Sequence, residues 1–210
     1  MNLSFNNDEL RVFKKLSTPQ KIQDFLEKIP INFEERGDTC MSPRRVLRER
    51  KAHCIEGALF AAAALWVNGR PPLILDLKSG RGDDDHVVAL FREHNRWGAI
   101  SKTNHAVLRY REPVYTTVRE LAMSYFHEYF LDDGRKMLRS YSEPLDLRKF
   151  RDRKWPIAEK NLWHIVRALN RAPHMKILTP PMIRTLRKAD PVEIKAGRLV
   201  QKKLRRKVKT

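Results

Sequence analysis

Cys54 and His86 are the two side chains of this chain whose types and spacing suit covalent chemistry. A cysteine attacks a carbonyl only as thiolate, and a free thiol near neutral pH is mostly protonated. Cys54 opens an apolar segment, Ile55 to Val67, with the composition of a buried helix. Unpaired amides and the macrodipole at a helix start favour negative charge on the sulfur. After the alanine-rich run come Gly69-Arg70-Pro71, a strand-like Leu73 to Leu77, and a polar loop, Lys78 to Asp85. His86 then leads Val87 to Phe91, and Trp97 to Ile100 forms a further strand-like segment. Such an order sets a nucleophile and a base on opposite walls of one cleft. The competing role for Cys54 is that of a small buried core residue, common for free cysteine.

The elements that must position this pair read as follows. Thr18-Pro19 starts a short amphipathic helix with Ile22, Phe25, Leu26 and Ile29 on one face, closed by Pro30. Ser42-Pro43 starts a second that runs towards Arg50. The segment after Cys54 is apolar on every side, which places it in the middle of a domain. Arg92 to Asn95 reads as a four-residue hairpin loop, a register that sets His86 opposite Ser101. Val118, Leu121, Ala122, Tyr125, Phe126 and Tyr129 form a helical stripe that stops at Asp133-Gly134. Beyond Pro156, Ala158, Leu162, Ile165, Val166 and Leu169 predict another amphipathic helix, and Thr179-Pro180 and Asp190-Pro191 two more starts. The fold class is α+β: a central buried helix on a small antiparallel sheet, with helices after it. The expected organisation is a helical lead-in over 1–41, a core over 42–150, a helical extension over 151–194 and a basic tail over 195–210.

The stretch Arg50-Lys51-Ala52-His53-Cys54, then Leu59 to Leu65, Gly69-Arg70-Pro71, His86 and Trp97 resembles the transglutaminase-like superfamily, with its papain-like core. The resemblance covers roughly Ser42 to Glu120 and implies a Cys–His–Asp triad on a helix followed by strands. Two positions depart from that pattern. Ile55 follows the cysteine where many members carry glycine, and no acid lies between Trp97 and Tyr110, although the family's aspartate is expected near Ser101. The third member orients the imidazole, and a neutral amide can do so without adding charge. Asn104, just past the strand end, is the candidate, with Ser101 the alternative. The resemblance thus implies thiolate attack by Cys54 on an amide or ester, proton transfer through His86, and a thioester resolved by water or by an amine. The Cys54 amide would contribute to the oxyanion hole.

Other groups read as ordinary. Asp83, Asp84 and Asp85 are consecutive and lack a calcium-loop spacing, so they suit a solvated loop beside the cleft. His53 is expected to point about a quarter-turn from Cys54 on a helix, a neighbour rather than the base. Glu56 suits a helix-start cap. His94, His105, His127 and His164 suit surface or packing roles. No metal pattern and no cofactor motif is present, and two cysteines make no disulfide framework.

A formal charge of +18 favours anionic partners, nucleic acid or acidic protein among them. From Lys195 to Thr210 there are eight Lys or Arg and no acid. Arg44, Arg45, Arg48, Arg50 and Lys51 form a second basic cluster ahead of Cys54. With no export signal at the N-terminus and no membrane-length apolar run, the expected compartment is the cytoplasm. Two functions follow: an acyl transferase or amidase acting on a peptide or amide, or a non-catalytic protein of the same fold holding an anionic partner.

Overall fold

The computed structural model of the chain describes residues 3–201 apart from Arg36. Lys202 to Lys209, most of the basic tail, lies outside the described residues.

Four helices come first. α1 (Asn7–Lys15) is fixed by a reciprocal cap: Glu9 donates its amide to Asn6 Oδ1, and the Asn6 amide donates to Glu9 Oε2, both at 2.8 Å. This helix lies within the helical lead-in but is not among the expected helix starts, although Asn6 and Glu9 have the capping-box spacing. α2 (Pro19–Lys28) and α3 (Pro43–Glu49) begin at Thr18-Pro19 and Ser42-Pro43 as expected, proline occupying the position where a missing N–H costs nothing. α4 (Cys54–Val67) is buried at every residue from Ile55 to Trp66, which explains its lack of a polar face.

The sheet is larger than expected. Besides β1 (Leu73–Ser79), β2 (His86–Glu93) and β3 (Arg96–Ser101) it contains β4 (Arg111–Tyr115), β5 (Leu138–Ser142), β6 (Leu145–Asp146) and β7 (His174–Lys176). The strands run in the order β4-β3-β2-β1-β5-β7, with β6 beside β1, and every pair is antiparallel. β7 lies within the segment expected to be a helical extension, so that extension is not helical throughout. The β2–β3 connection is a two-residue turn, not a four-residue loop: Glu93 pairs with Arg96, while His94 and Asn95 have φ of 48° and 60°. Two left-handed residues match the twist of a tight hairpin, and asparagine tolerates that conformation. The register therefore shifts by two, and Ser101 faces Val88 rather than His86. Side chains alternate with period two, so this shift leaves Ser101 on the face expected for it.

Alternation also splits the core. Ile74, Val87, Ala89, Phe91 and Ile100 pack against α4, while Leu75, Leu77, Val88, Leu90 and Ala99 pack on the other face. That second face is covered by the segment after β4. There α5 (Val118–Ser124) ends earlier than its apolar stripe predicts, because Ser124 Oγ donates to the Leu121 carbonyl at 2.7 Å and the chain tightens into three-residue turns. Tyr125, Phe126 and Tyr129 are buried all the same. After two short 3-10 segments (Leu147–Arg153 and Trp155–Ile157) come α6 (Trp163–Arg171), α7 (Pro180–Arg184) and α8 (Pro191–Gly197). Among the described residues no helix is long and apolar enough to cross a membrane.

Candidate active site

The start of α4 is built by residues close in sequence. Ala52 is pinned beside Ile31, its amide donating to the Pro30 carbonyl at 3.2 Å and its carbonyl accepting from Asn32 N at 3.1 Å. The chain therefore enters the helix extended, with His53 as the N-cap residue at φ −96° and ψ −172°. Three residues on, Glu56 turns back to accept from the His53 amide at 3.1 Å. The same carboxylate accepts from Thr39 Oγ1 at 2.7 Å, Met41 N at 2.9 Å and Asn32 Nδ2 at 3.1 Å, and its side chain is wholly buried. A buried carboxylate is tolerated when donors saturate it, and here it ties three segments to one helix turn.

His53 stands on that base. Its Nε2 lies 3.1 Å from the Thr39 carbonyl, 3.4 Å from Glu34 Oε1 and 3.5 Å from Glu56 Oε1. Cys54, the first residue of the helix, is half-buried, and its Sγ is 3.9 Å from the Asp85 carbonyl. Asp85 itself is held by the Lys78 ammonium and by the Ser79 amide, the latter at 2.9 Å.

The facing wall belongs to the sheet. His86 begins β2 and is buried, and its Nε2 is 2.8 Å from Ser101 Oγ. Ser101 Oγ donates its own proton to the Leu108 carbonyl at 2.5 Å, so it accepts from His86, and Nε2 carries the hydrogen. That leaves Nδ1 as the nitrogen able to exchange a proton. Gln23 of α2 locks the Ser101 backbone from both sides, accepting from its amide at 3.0 Å and donating to its carbonyl at 2.8 Å.

Between these walls the thiol is strongly acidified. Burial disfavours its charge, but hydrogen bonds to His53 and His86, together with the charge on each ring, outweigh it and bring Cys54 down to about 5. His53 moves the other way. Burial opposes its cation, yet the bond to Cys54 and the charges of Glu56, Cys54 and Glu34 raise it to about 9. At neutral pH the arrangement is a thiolate beside an imidazolium. Cys40 is the contrast: burial, reinforced by Glu56, pushes its thiol up to about 12. Both cysteines are free.

Of the residues singled out in the sequence, the structure brings Cys54, His86 and Ser101 to one place. Asn104 lines the same cleft, and its carbonyl accepts from Gln201 N at 2.9 Å, but the imidazole's Nε2 partner is Ser101. His94 sits in the β2–β3 turn, and His105 Nδ1 lies 3.0 Å from the Gly197 carbonyl. His127 and His164 pack edge-on against Phe126 and Phe150. No cluster among the described residues has the make-up of a metal site. The basic cluster ahead of Cys54 is largely answered internally: Arg44 pairs with Glu9 at 2.7 Å, Arg48 with Glu159 at 3.0 Å, and Arg45 with Asn161 at 2.8 Å. The Arg50 guanidinium lies over the Phe25 ring.

Sequence reasoning missed His53. A quarter-turn displacement holds only inside a helix, and His53 is one residue outside it with extended backbone. The His53–Glu56 spacing, that of a capping box, was the available signal. A second acid–imidazole pair was missed as well: buried Asp76 on β1 lies 3.1 Å from His174 Nε2 on β7, 98 residues away in the chain with only β5 between the two strands.

The chain matches no family model, and no curated protein matches it.

Proposed function

We propose that this protein is a cysteine-dependent enzyme of transglutaminase-like architecture that transfers or hydrolyses acyl groups through a thioester on Cys54. The observation that carries this reading is the Cys54 thiol at a helix start between two imidazoles, brought down to about 5. Thiolate is then the dominant form at neutral pH, as nucleophilic catalysis requires. The two histidines divide the work. His53, raised to about 9 and flanked by Glu34 and Glu56, supplies a standing positive charge. His86, oriented by Ser101, is the proton carrier in a Cys–His–Ser arrangement.

The step runs as follows. The Cys54 sulfur adds to the carbonyl carbon, forming the C–S bond, and the carbonyl oxygen takes the negative charge. Helix-start amides, that of Cys54 included, point outward from α4 and suit that oxyanion. The tetrahedral centre collapses, the C–N or C–O bond breaks, and the leaving group takes a proton from Nδ1 of His86. Water or an amine then attacks the thioester, its proton passing to the neutral imidazole, and the thiolate leaves.

Alkylation by iodoacetamide between pH 4 and 9 tests the premise. The rate at Cys54 is expected to reach half its plateau near pH 5, with no labelling there in Cys54→Ser, while Cys40, buried and raised to about 12, stays unlabelled. A midpoint near the ordinary thiol value of about 8.5 overturns it. An activated ester should also leave an acyl adduct on Cys54 that hydroxylamine discharges.

A further inference from the structure

The cleft in front of Cys54 has a volume of about 980 Å³, and its charge is opposite to that of the molecule. The chain as a whole is at +18, yet among the described residues the cleft is lined by eight carboxylates against one lysine, no arginine and the cation of His53, which Glu34 flanks. The lysine is committed to the backbone: Lys102 is fully buried and donates to the carbonyls of Leu26 and Ile29, at 2.9 and 2.8 Å.

Several of the carboxylates are neutralised where they stand. Asp85 has Lys78, Glu128 has Arg111 at 2.7 Å and Asp132 has Arg198 at 3.3 Å. Asp38, Asp83 and Asp84 have no cationic partner among the described residues. Asp83 and Asp84 precede the very residue whose carbonyl lies 3.9 Å from the sulfur. Their placement is structural rather than a frayed loop tip: Tyr129, buried, donates its hydroxyl to the Asp84 carbonyl at 2.6 Å, and Ser79 Oγ donates to the Asp83 carbonyl at 2.6 Å. Burial and the neighbouring carboxylates hold the Asp83 carboxyl above its ordinary range, the cost of crowding like charges that a cation in the cleft would relieve.

We infer that the cleft selects substrates carrying positive charge beside the reacting carbonyl, as a lysine- or arginine-bearing peptide does, with Asp83 and Asp84 as specificity-determining residues. This rests on Cys54 being the nucleophile. A pocket with walls of one sign focuses its own field and overrides a distant surplus of the other sign, which salt screens within about 8 Å at physiological ionic strength. A basic segment docked there would place its amide before the sulfur and its ammonium or guanidinium groups against the 83–84 carboxylates. An acidic segment would meet them unshielded, whatever attraction the outer surface exerted on it.

The test uses three methanethiosulfonates of similar size on the full-length protein at low salt: one neutral, one with a quaternary ammonium and one with a sulfonate. Each reacts alike. The thiolate attacks the sulfenyl sulfur, a disulfide forms, and methanesulfinate leaves with the electron pair. The cationic reagent is expected to modify Cys54 at least about tenfold faster than the anionic one, both normalised to the neutral reagent, with the ratio collapsing at high salt. The double variant Asp83→Asn with Asp84→Asn, which keeps the loop's backbone bonds, should reduce the ratio severalfold. Equal rates, or a faster anion, overturn the inference, as does a ratio unmoved in the double variant. The neutral reagent's pH midpoint judges the nucleophile separately, so loss of charge preference with a midpoint near pH 5 condemns the selectivity alone.

Discussion

The two walls that meet at Cys54 are built on different principles. The helix-start wall is ionic and local: His53, Glu56, Glu34 and Thr39 lie within two dozen residues and share buried carboxylate oxygens. The sheet wall is distant and rests on a hydroxyl: His86 leans on Ser101, whose backbone is held by Gln23 and whose proton goes to Leu108. The difference teaches where each demand of the proposed chemistry is met. Holding a thiolate requires a fixed positive charge, and acids behind an imidazole supply one. Moving a proton requires a ring that can lose its charge again, and a carboxylate partner would oppose that loss. A site read only through the sheet wall looks as though it lacks its acid; the acids stand behind the other histidine.

That division can be broken most severely at Glu56. Replacing it with alanine strands the Asn32, Thr39, Met41 and His53 donors in a buried setting, and about 3 kcal/mol or more of stability should be lost, read from denaturant unfolding. A loss under about 0.5 kcal/mol, typical of surface sites, would mean the ionic wall is not what fastens the helix start. The next largest effect separates the two rings. His53→Ala should raise the alkylation midpoint of Cys54 by about two pH units, and His86→Ala by less, because the hydrogen bond to His53 is the largest single contribution that lowers the thiol. The reverse ranking would exchange their roles. The smallest effect sharpens the picture: Ser101→Ala should slow acyl transfer by about tenfold while the midpoint shifts by less than about 0.5 unit, since a neutral hydroxyl orients the ring without charging it. A large midpoint shift there would make the sheet wall an electrostatic one.

Much of this was legible in the residues. Proline after serine or threonine fixed the starts of α2 and α3, and an all-apolar run could only be a buried helix, so the position of Cys54 followed. What escaped depended on pairings that leave little local trace. β7 has three residues and takes its place only because β5 is there to receive it. The two-residue turn at His94-Asn95 lacks the usual glycine. The hydroxyl that meets His86 Nε2 belongs to Ser101, whose backbone Gln23 of another helix clamps in place, a pairing that leaves no local pattern in the sequence. His53 was set aside on helical geometry that begins one residue later.

Gly57 and Lys102 carry one more consequence. Any side chain at 57 would collide with the Lys102 stem, so the glycine that follows Cys54 by three positions is the gap through which the end of β3 crosses the helix. Through that gap an ammonium reaches the last carbonyls of α2, contacts spanning 76 and 73 residues of chain. The same crossing carries Thr103, Asn104 and His105 to the edge of the cleft. Cys54 and His53 are neighbours in the chain, whereas His86 and Ser101 follow only with the sheet, so the second ring meets the sulfur only by tertiary closure. The share of the thiol's acidification that His86 supplies therefore depends on that closure.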